Sequence, residues 1–388
     1  MTEGVDSDGA RPATAKADRR QFMRRATALL GAVGLVGERG LAQAADGART
    51  GPVARIATEE AFVTPEITAA TLAYMAGDGA RDEPALAVAR TVTAPAVRNA
   101  WNRRLTDFGA LRLEEMDAAG IAMQILLLSS PGVQIFAADQ AAELARHAND
   151  TAARLCRAYP SRFAALAAIA PQSPSAAADE LTRSVGELGC RGAMINSHTK
   201  GEYLDDPKFW PIFEAAQALD VPIYLHPREP SPAMAGPFIS PRATGSIWGY
   251  AAETGLHALR LILGGVFDNF PRLQIILGHG GEALPFFADR IDTRYAVELA
   301  PGGARSLKFQ PSHYLRENFI VTTSGMNWKQ PVELCLAVMG PERVMFAADW
   351  PFEDASEAVR TFDAIGLDET LVRRVYEDNA RRVFRLHA

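Results

Sequence analysis

With 388 residues, 41.8 kDa, 48% hydrophobic and 22% charged residues, the chain can bury one large core or two average ones. A net charge of −6 and a pI of about 5.7, with no basic run outside the N-terminus, exclude a nucleic-acid footprint. The three cysteines, Cys156, Cys190 and Cys335, are odd in number and far apart, which excludes a disulfide framework and a thiolate metal site.

The first fifty residues differ from the rest. Residues 1–17 are polar and aperiodic, and Arg19 and Arg20 then precede Phe22, Met23 and a mildly apolar run from Ala26 to Gly37. Ala42-Gln43-Ala44 supplies the small residues of a cleavage site. A basic head, a short apolar segment and an A-x-A site are the layout of a signal peptide, and the paired arginines point to the twin-arginine type. An apolar run of about twelve residues is too short to span a bilayer. Residues 1–45 are therefore expected to be a twin-arginine-type signal with a disordered start, read by the export machinery. The chain is then exported or periplasmic, without stable membrane insertion, and residues 50–388 form the catalytic domain.

Within that domain, Val53–Thr58 is short and β-prone and leads into Glu59-Glu60. Residues 64–105 are rich in Ala and Pro without a clean strand, which predicts a helical insertion after the first strand. Leu111–Ala119 is amphipathic and stops at Gly120, the residue a helix C-cap prefers. The spacing then predicts strands at Ile121–Leu128, Phe163–Ala170, Arg191–Asn196, Val221–His226, Leu273–Gly278, Phe319–Thr323 and Val344–Ala348. Helices are expected between them at Ala137–Ala158, Ser175–Leu188, Phe209–Leu219 and Ala251–Phe267. Eight buried strands alternating with helices predict an α/β fold, a (β/α)8 TIM barrel. No glycine-rich fingerprint follows the first strand, which argues against a doubly wound sheet.

Residues just past the strands of such a barrel converge at its C-terminal mouth. Here they are Glu59 and Glu60 after the first strand, His226 after the fifth, His279 after the sixth and Asp349 after the eighth. Each has an ordinary alternative, as a helix-start acid, a loop histidine or an N-cap. Together they make a divalent-metal constellation of hard oxygen and borderline nitrogen donors. Side chains alternate along a strand, so if Glu59 and Ala61 face the barrel, Glu59 is the ligand and Glu60 is structural. His198 is read as a pocket-edge residue and His257 as packing.

The segments "TEEAFVTPE", "YLDDPKFWPIFEAAQALDVPIYLHPREP", "ETGLHALRLILGGVFDNFPRLQIILGHGGEALPFFADRID", "FIVTTSGMN" and "FAADWPFED" carry a resemblance. From about Arg55 to the C-terminus the chain resembles the amidohydrolase-related (ACMSD-like) metal-dependent decarboxylases, and within them the γ-resorcylate and 2,3-dihydroxybenzoate decarboxylases. The resemblance implies an amidohydrolase-like barrel holding one divalent metal through Glu59, His226 and Asp349. It implies that His279 and Glu282 form a proton relay, that Arg290 orients carboxylates, and that the chain is a homo-oligomer. Glu59 and Ala61 stand where the wider superfamily has His-x-His, which favours one metal over two. Ser129 stands where some relatives have Asn in the pocket turn.

Decarboxylation of an ortho-hydroxybenzoate needs a chelated carboxylate and an acid that protonates the ring carbon bearing it. Asp349 and His279 both qualify as that acid, and Trp350 and Phe352 are expected to wall the pocket beside Ser129 and His198. The mixed donor set suits Zn or Mn, and Mg less well. The same residues serve a second reading, hydrolysis of a lactone, ester or amide by a metal-activated water, and a third is a small-ligand binder without turnover. The apolar helix face from His257 to Val266 is the expected oligomer contact.

Overall fold

The computed structural model describes residues 51–299 and 304–386. The expected signal segment, residues 1–45, lies outside the described residues. Among the latter, no helix is long and apolar enough to cross a membrane.

The described chain folds as the expected (β/α)8 barrel. Its staves are β1 (Arg55–Phe62), β2 (Ile121–Leu128), β3 (Phe163–Ala165 and Ala167–Ala168, interrupted at Leu166), β4 (Ala193–Asn196), β5 (Ile223–His226), β6 (Ile275–Leu277), β7 (Phe319–Thr322) and β8 (Val344–Met345). All pairings between them are parallel. The circle closes at β1, where Thr58 N donates to Phe346 O (3.1 Å) and Ala61 N to Trp350 O (2.8 Å). Parallel strands covered on both faces carry continuous apolar runs, and Ile125–Leu128, Ile275–Leu277 and Phe319–Val321 are accordingly buried.

Helices follow the strands in the expected order. Four of them, α1 (Pro65–Ala76), α2 (Gly79–Asp82), α3 (Pro84–Val92) and α4 (Pro95–Leu105), make up the insertion after β1. Three of these start on a proline, which is preorganised for the first helical turn and has no N–H to leave unpaired. The insertion is tied down at its base by Val63 N donating to Leu105 O (3.0 Å). Near the mouth a buried ion pair joins Glu83 to Arg228 at 2.7 Å. The outer helices include α5 (Ala110–Ala119), α6 (Ala138–Ala158), α7 (Pro174–Gly186), α8 (Trp210–Leu219), α9 (Gly249–Leu263), α10 (Leu284–Val297), α11 (Pro311–Asn318), α12 (Lys329–Met339) and α13 (Ala355–Asp363).

Two expectations need correction. The first strand does not stop at Thr58. It runs to Phe62, so Glu59 and Glu60 lie inside β1, next to a register irregularity between Ala57 and Glu60. Such irregularities re-aim side chains next to functional sites. The apolar face expected to make an oligomer contact is also already covered. His257, Ala258, Leu261, Ile262 and Val266 are all buried by the chain's own core.

Candidate active site

Because successive side chains of a strand point to opposite faces, β1 sends its two glutamates apart. Glu59 enters the barrel, where Tyr224 of β5, Thr322 of β7 and Ser324 surround its carboxylate. All three hydroxyls donate to Oε2, with Thr322 at 3.0 Å. The other oxygen, Oε1, is buried and has no hydrogen-bond partner. Its near neighbour is Nε2 of His226, at 3.5 Å.

The tautomer of His226 decides what this contact means. Its Nδ1 lies 2.8 Å from Asn196 Oδ1, while the Asn196 amide nitrogen is turned to Leu128 O (3.4 Å) and Gln134 Oε1 (3.5 Å). An amide oxygen accepts, so Nδ1 carries the proton and Nε2 presents a lone pair. Burial pushes His226 down to about 4, so the imidazole is neutral. A lone pair and a buried carboxylate oxygen thus face each other with no hydrogen between them, an arrangement that fits a cation.

His279 and Asp349 complete the group. One ligand atom from each of Glu59, His279 and Asp349 can be chosen so that all lie within 4.8 Å of one another. His279 Nε2 lies 3.6 Å from Asp349 Oδ2, and its Nδ1 lies 2.9 Å from Glu282 Oε1. Burial opposes charge on this imidazole, but the carboxylates of Glu282, Glu59 and Asp349 outweigh it and raise His279 well above its ordinary range. Burial lifts Asp349 to about 6. It works the same way on Glu59, but there the imidazole of His279 leads the effects that hold the carboxylate below its ordinary value.

The backbone that presents these groups is unusual. His279, Gly280, Gly281, Glu282 and Ala283 have φ of 50°, 64°, 79°, 52° and 66°, a left-handed turn. L-residues pay roughly 1–2 kcal/mol each for that conformation. Gly280 and Gly281 relieve it at two positions, and Gly281 N donating to Gly278 O (2.7 Å) closes the turn. Asp349 is also left-handed, with φ 64°. Strain concentrated on non-glycine residues at one place is a mark of a functional site.

Other residues singled out from the sequence fare differently. Ser129 lies buried at the mouth end of β2, its hydroxyl donating to Ser130 O at 3.3 Å. Phe352 is half-buried and packs edge-on against Trp101 of the insertion, with ring centroids 5.2 Å apart. Trp350 does not wall the pocket. Its ring lies under the Arg112 guanidinium at 3.8 Å and its Nε1 donates to Glu115 Oε2 at 2.6 Å, both on α5. His198 is no pocket-edge residue either, because backbone groups occupy both ring nitrogens. Gly201 N donates to Nδ1 (3.0 Å) and Nε2 donates to Glu229 O (3.2 Å). Arg290 is exposed on α10, and among the described residues no ion pair joins it to Glu59, Glu282 or Asp349. His257 is packing, as expected.

The sequence reading missed Asn196, Tyr224, Thr322 and Ser324. A signal for two of them was present. Tyr224 shares the inward face of β5 with His226, two residues on, and Ser324 stands in the same relation to Thr322.

The model of the family described as "Amidohydrolase" matches residues 63–386. A γ-resorcylate decarboxylase of a Rhizobium species is 38% identical over 341 residues, covering 86% of this chain and 98% of that protein. The crystal structure of a Novosphingobium aromaticivorans 5-carboxyvanillate decarboxylase, complexed with manganese and 4-hydroxy-3-methoxy-5-nitrobenzoic acid, superposes with a TM-score of 0.83 at 40% identity. It covers 86% of this chain and 96% of that one. A dihydroxybenzoic acid decarboxylase from Polaromonas, with manganese and the inhibitor 2-nitroresorcinol, gives a TM-score of 0.77 at 35% identity, covering 87% and 98%.

Proposed function

Because the chain belongs to the amidohydrolase family, we propose that it is a metal-dependent, non-oxidative decarboxylase of an ortho-hydroxybenzoate-type aromatic acid, a carboxy-lyase. The observation that carries this reading is the pair of unprotonated acceptors, Glu59 Oε1 and His226 Nε2, set beside an imidazole held between two carboxylates. The first pair fits a divalent cation and the second proton transfer, and metal-assisted decarboxylation of a hydroxybenzoate draws on both.

Glu59, His226 and Asp349 are the proposed holders of the metal, with His279 at the edge of the set. When bound, the cation supplies Lewis-acid charge that orients a carboxylate and its ortho oxygen and stabilises the phenolate. Manganese in the related decarboxylases favours Mn, and the mixed oxygen and nitrogen donors also suit Zn. The residues then manage one proton. Glu282 fixes the His279 ring through Nδ1 and favours its protonated form, so Nε2 carries a proton directed at Asp349 Oδ2. That pair delivers the proton to the ring carbon bearing the carboxylate. The bond from this carbon to the carboxyl carbon then breaks, CO2 leaves, and its electron pair restores the aromatic ring. The net change replaces CO2 by the proton, with no oxidant or reductant. Ser129 and Phe352 are proposed to line the substrate pocket.

The experiment is turnover of a panel of ortho-hydroxybenzoates by the chain from Ala45, loaded separately with Mn and Zn, following CO2 release. An aryl ester and a lactone run beside them. Hydrolysis without CO2 would replace this reading by metal-assisted water chemistry.

Two further proposals concern the cell. Export through the twin-arginine route rests on Arg19-Arg20, the apolar run Ala26–Gly37 and Ala42-Gln43-Ala44. A reporter fused to residues 1–45 should stay in the cytoplasm of a strain lacking that machinery. Self-association rests on Phe286 and Phe287, 72% and 43% exposed on α10. Phe286→Asp should lower the mass measured by light scattering.

A further inference from the structure

The partner of the metal-facing glutamate has a task of its own. Glu60 is fully buried and turned out of the barrel lumen, toward the segment that carries Asp349. Ala348 N donates to its Oε1 at 3.0 Å, and Trp350 N donates to its Oε2 at 3.3 Å. Those two amides are the immediate neighbours of Asp349 on either side. Between them the backbone must turn left-handed at a residue that has a Cβ, with φ 64°. Left to itself, an aspartate there would relax toward negative φ and swing its carboxylate elsewhere.

We infer that Glu60 is the positioning residue for Asp349, a carboxylate that grips both flanking amides and so holds the strained turn presenting Asp349 to Glu59 and His279. The residue type matters. Two amides approaching two different oxygens need two acceptors, which a carboxylate has and a carboxamide lacks. The grip is itself braced. Gln124 Nε2 donates to Glu60 Oε2 (3.2 Å), and Arg112 Nη1 donates to Gln124 Oε1 (3.1 Å). The Arg112 guanidinium covers the Trp350 ring, so one side chain supports both ends of the grip. Adjacent glutamates on β1 therefore divide the work, Glu59 meeting the cation and Glu60 shaping the turn behind the opposite ligand.

This inference rests on the metal site proposed above, and the test separates the two. Mn2+ binding is measured by titration and by the Mn2+ EPR spectrum, with kcat, KM and the melting temperature of the metal-free protein, for wild type, Asp349→Asn and Glu60→Gln. Glu60→Gln keeps side-chain size and one acceptor. It is expected to fold, to bind Mn2+ about 10- to 100-fold more weakly, to change the EPR line shape, and at saturating metal to lose kcat more than KM. A merely structural glutamate would lower the melting temperature and leave the spectrum and affinity of the folded protein unchanged, which overturns the inference. If wild type binds no Mn2+, or Asp349→Asn binds it equally well, the metal site itself fails. Should Glu60→Gln not fold, hydrogen exchange in the wild type decides. Ala348 and Trp350 amides are expected to be protected like the barrel core, and exchange at the rate of exposed loops overturns the grip.

Discussion

A methyl group on Gly278 would place its carbon 2.8 Å from both carboxylate oxygens of Glu59. The end of β6 and the middle of β1 thus approach so closely that only hydrogen fits between them. Gly278→Ala is expected to displace Glu59 and to lower Mn2+ affinity and turnover at least about 10-fold, on the scale of disturbing a ligand's support. Metal titration of the folded variant checks this, and wild-type affinity would show that the carboxylate does not bear on the metal.

The three hydroxyls on Glu59 Oε2 leave Oε1 as the free oxygen. Removing them lets the carboxylate rotate. Tyr224→Phe and Ser324→Ala should each weaken metal binding, within the roughly 10- to 100-fold range of outer-sphere partners. Thr322→Ser, which keeps its hydroxyl, should stay near wild type. Calorimetric titration with Mn2+ distinguishes the three.

Asp349→Asn should abolish metal-dependent activity with the fold intact. His279→Ala should retain the metal stoichiometry and lose about a hundred- to ten-thousand-fold in kcat, the usual contribution of a placed acid or base. His279 lies within reach of Glu59 and Asp349, so metal analysis of the purified variant is decisive. Loss of bound metal would make His279 a ligand.

Away from the site, His257 makes stability depend on pH. Leu204 N donates to its Nε2 (2.9 Å) and its Nδ1 meets Ser197 Oγ (3.1 Å), so the neutral ring is satisfied. Burial pushes its pKa from the ordinary 6.5 to about 3. The unfolded chain therefore binds a proton there before the folded one does. This contribution is complete above about pH 6.5 and is lost as pH falls from 6.5 toward about 3. A shift of that size is on the order of several kcal/mol. Urea unfolding at pH 7.5 and pH 5 should show the loss, and His257→Gln should flatten it.

Much of this was legible in the residues, for stated physical reasons. Apolar runs bounded by glycine and proline marked the strands, and a barrel's geometry placed the ends of β5, β6 and β8 at one mouth. The period of two sends Glu59 and Glu60 to opposite faces of β1. The same period bears on Tyr224 and Ser324, but a hydroxyl on an inward face has no charge to set it apart from the core. Trp350 and His198 misled for the opposite reason. Both types commonly line pockets, but folding turns Trp350 back onto Arg112 and spends both His198 ring nitrogens on the Gly201 and Glu229 backbone. The His257–Val266 face looked available because periodicity reports an apolar stripe without saying which surface covers it.

The closure between β1 and the segment after β8 has a consequence for how the protein is made. Glu59 comes from the first stave of the ring and Asp349 from the segment after the last, and the ring joins where Thr58 meets Phe346 and Ala61 meets Trp350. A ribosome delivers the first half of the site nearly three hundred residues before the second. A cation held by both works as a clasp across the seam, binding the closed ring and not the open one, so its binding energy adds directly to closure. Loading with metal should then raise the melting temperature in step with metal concentration, and a chain truncated before Val344 should show no such response. The export route proposed above carries folded cargo, and on that proposal the clasp is fastened before the protein leaves.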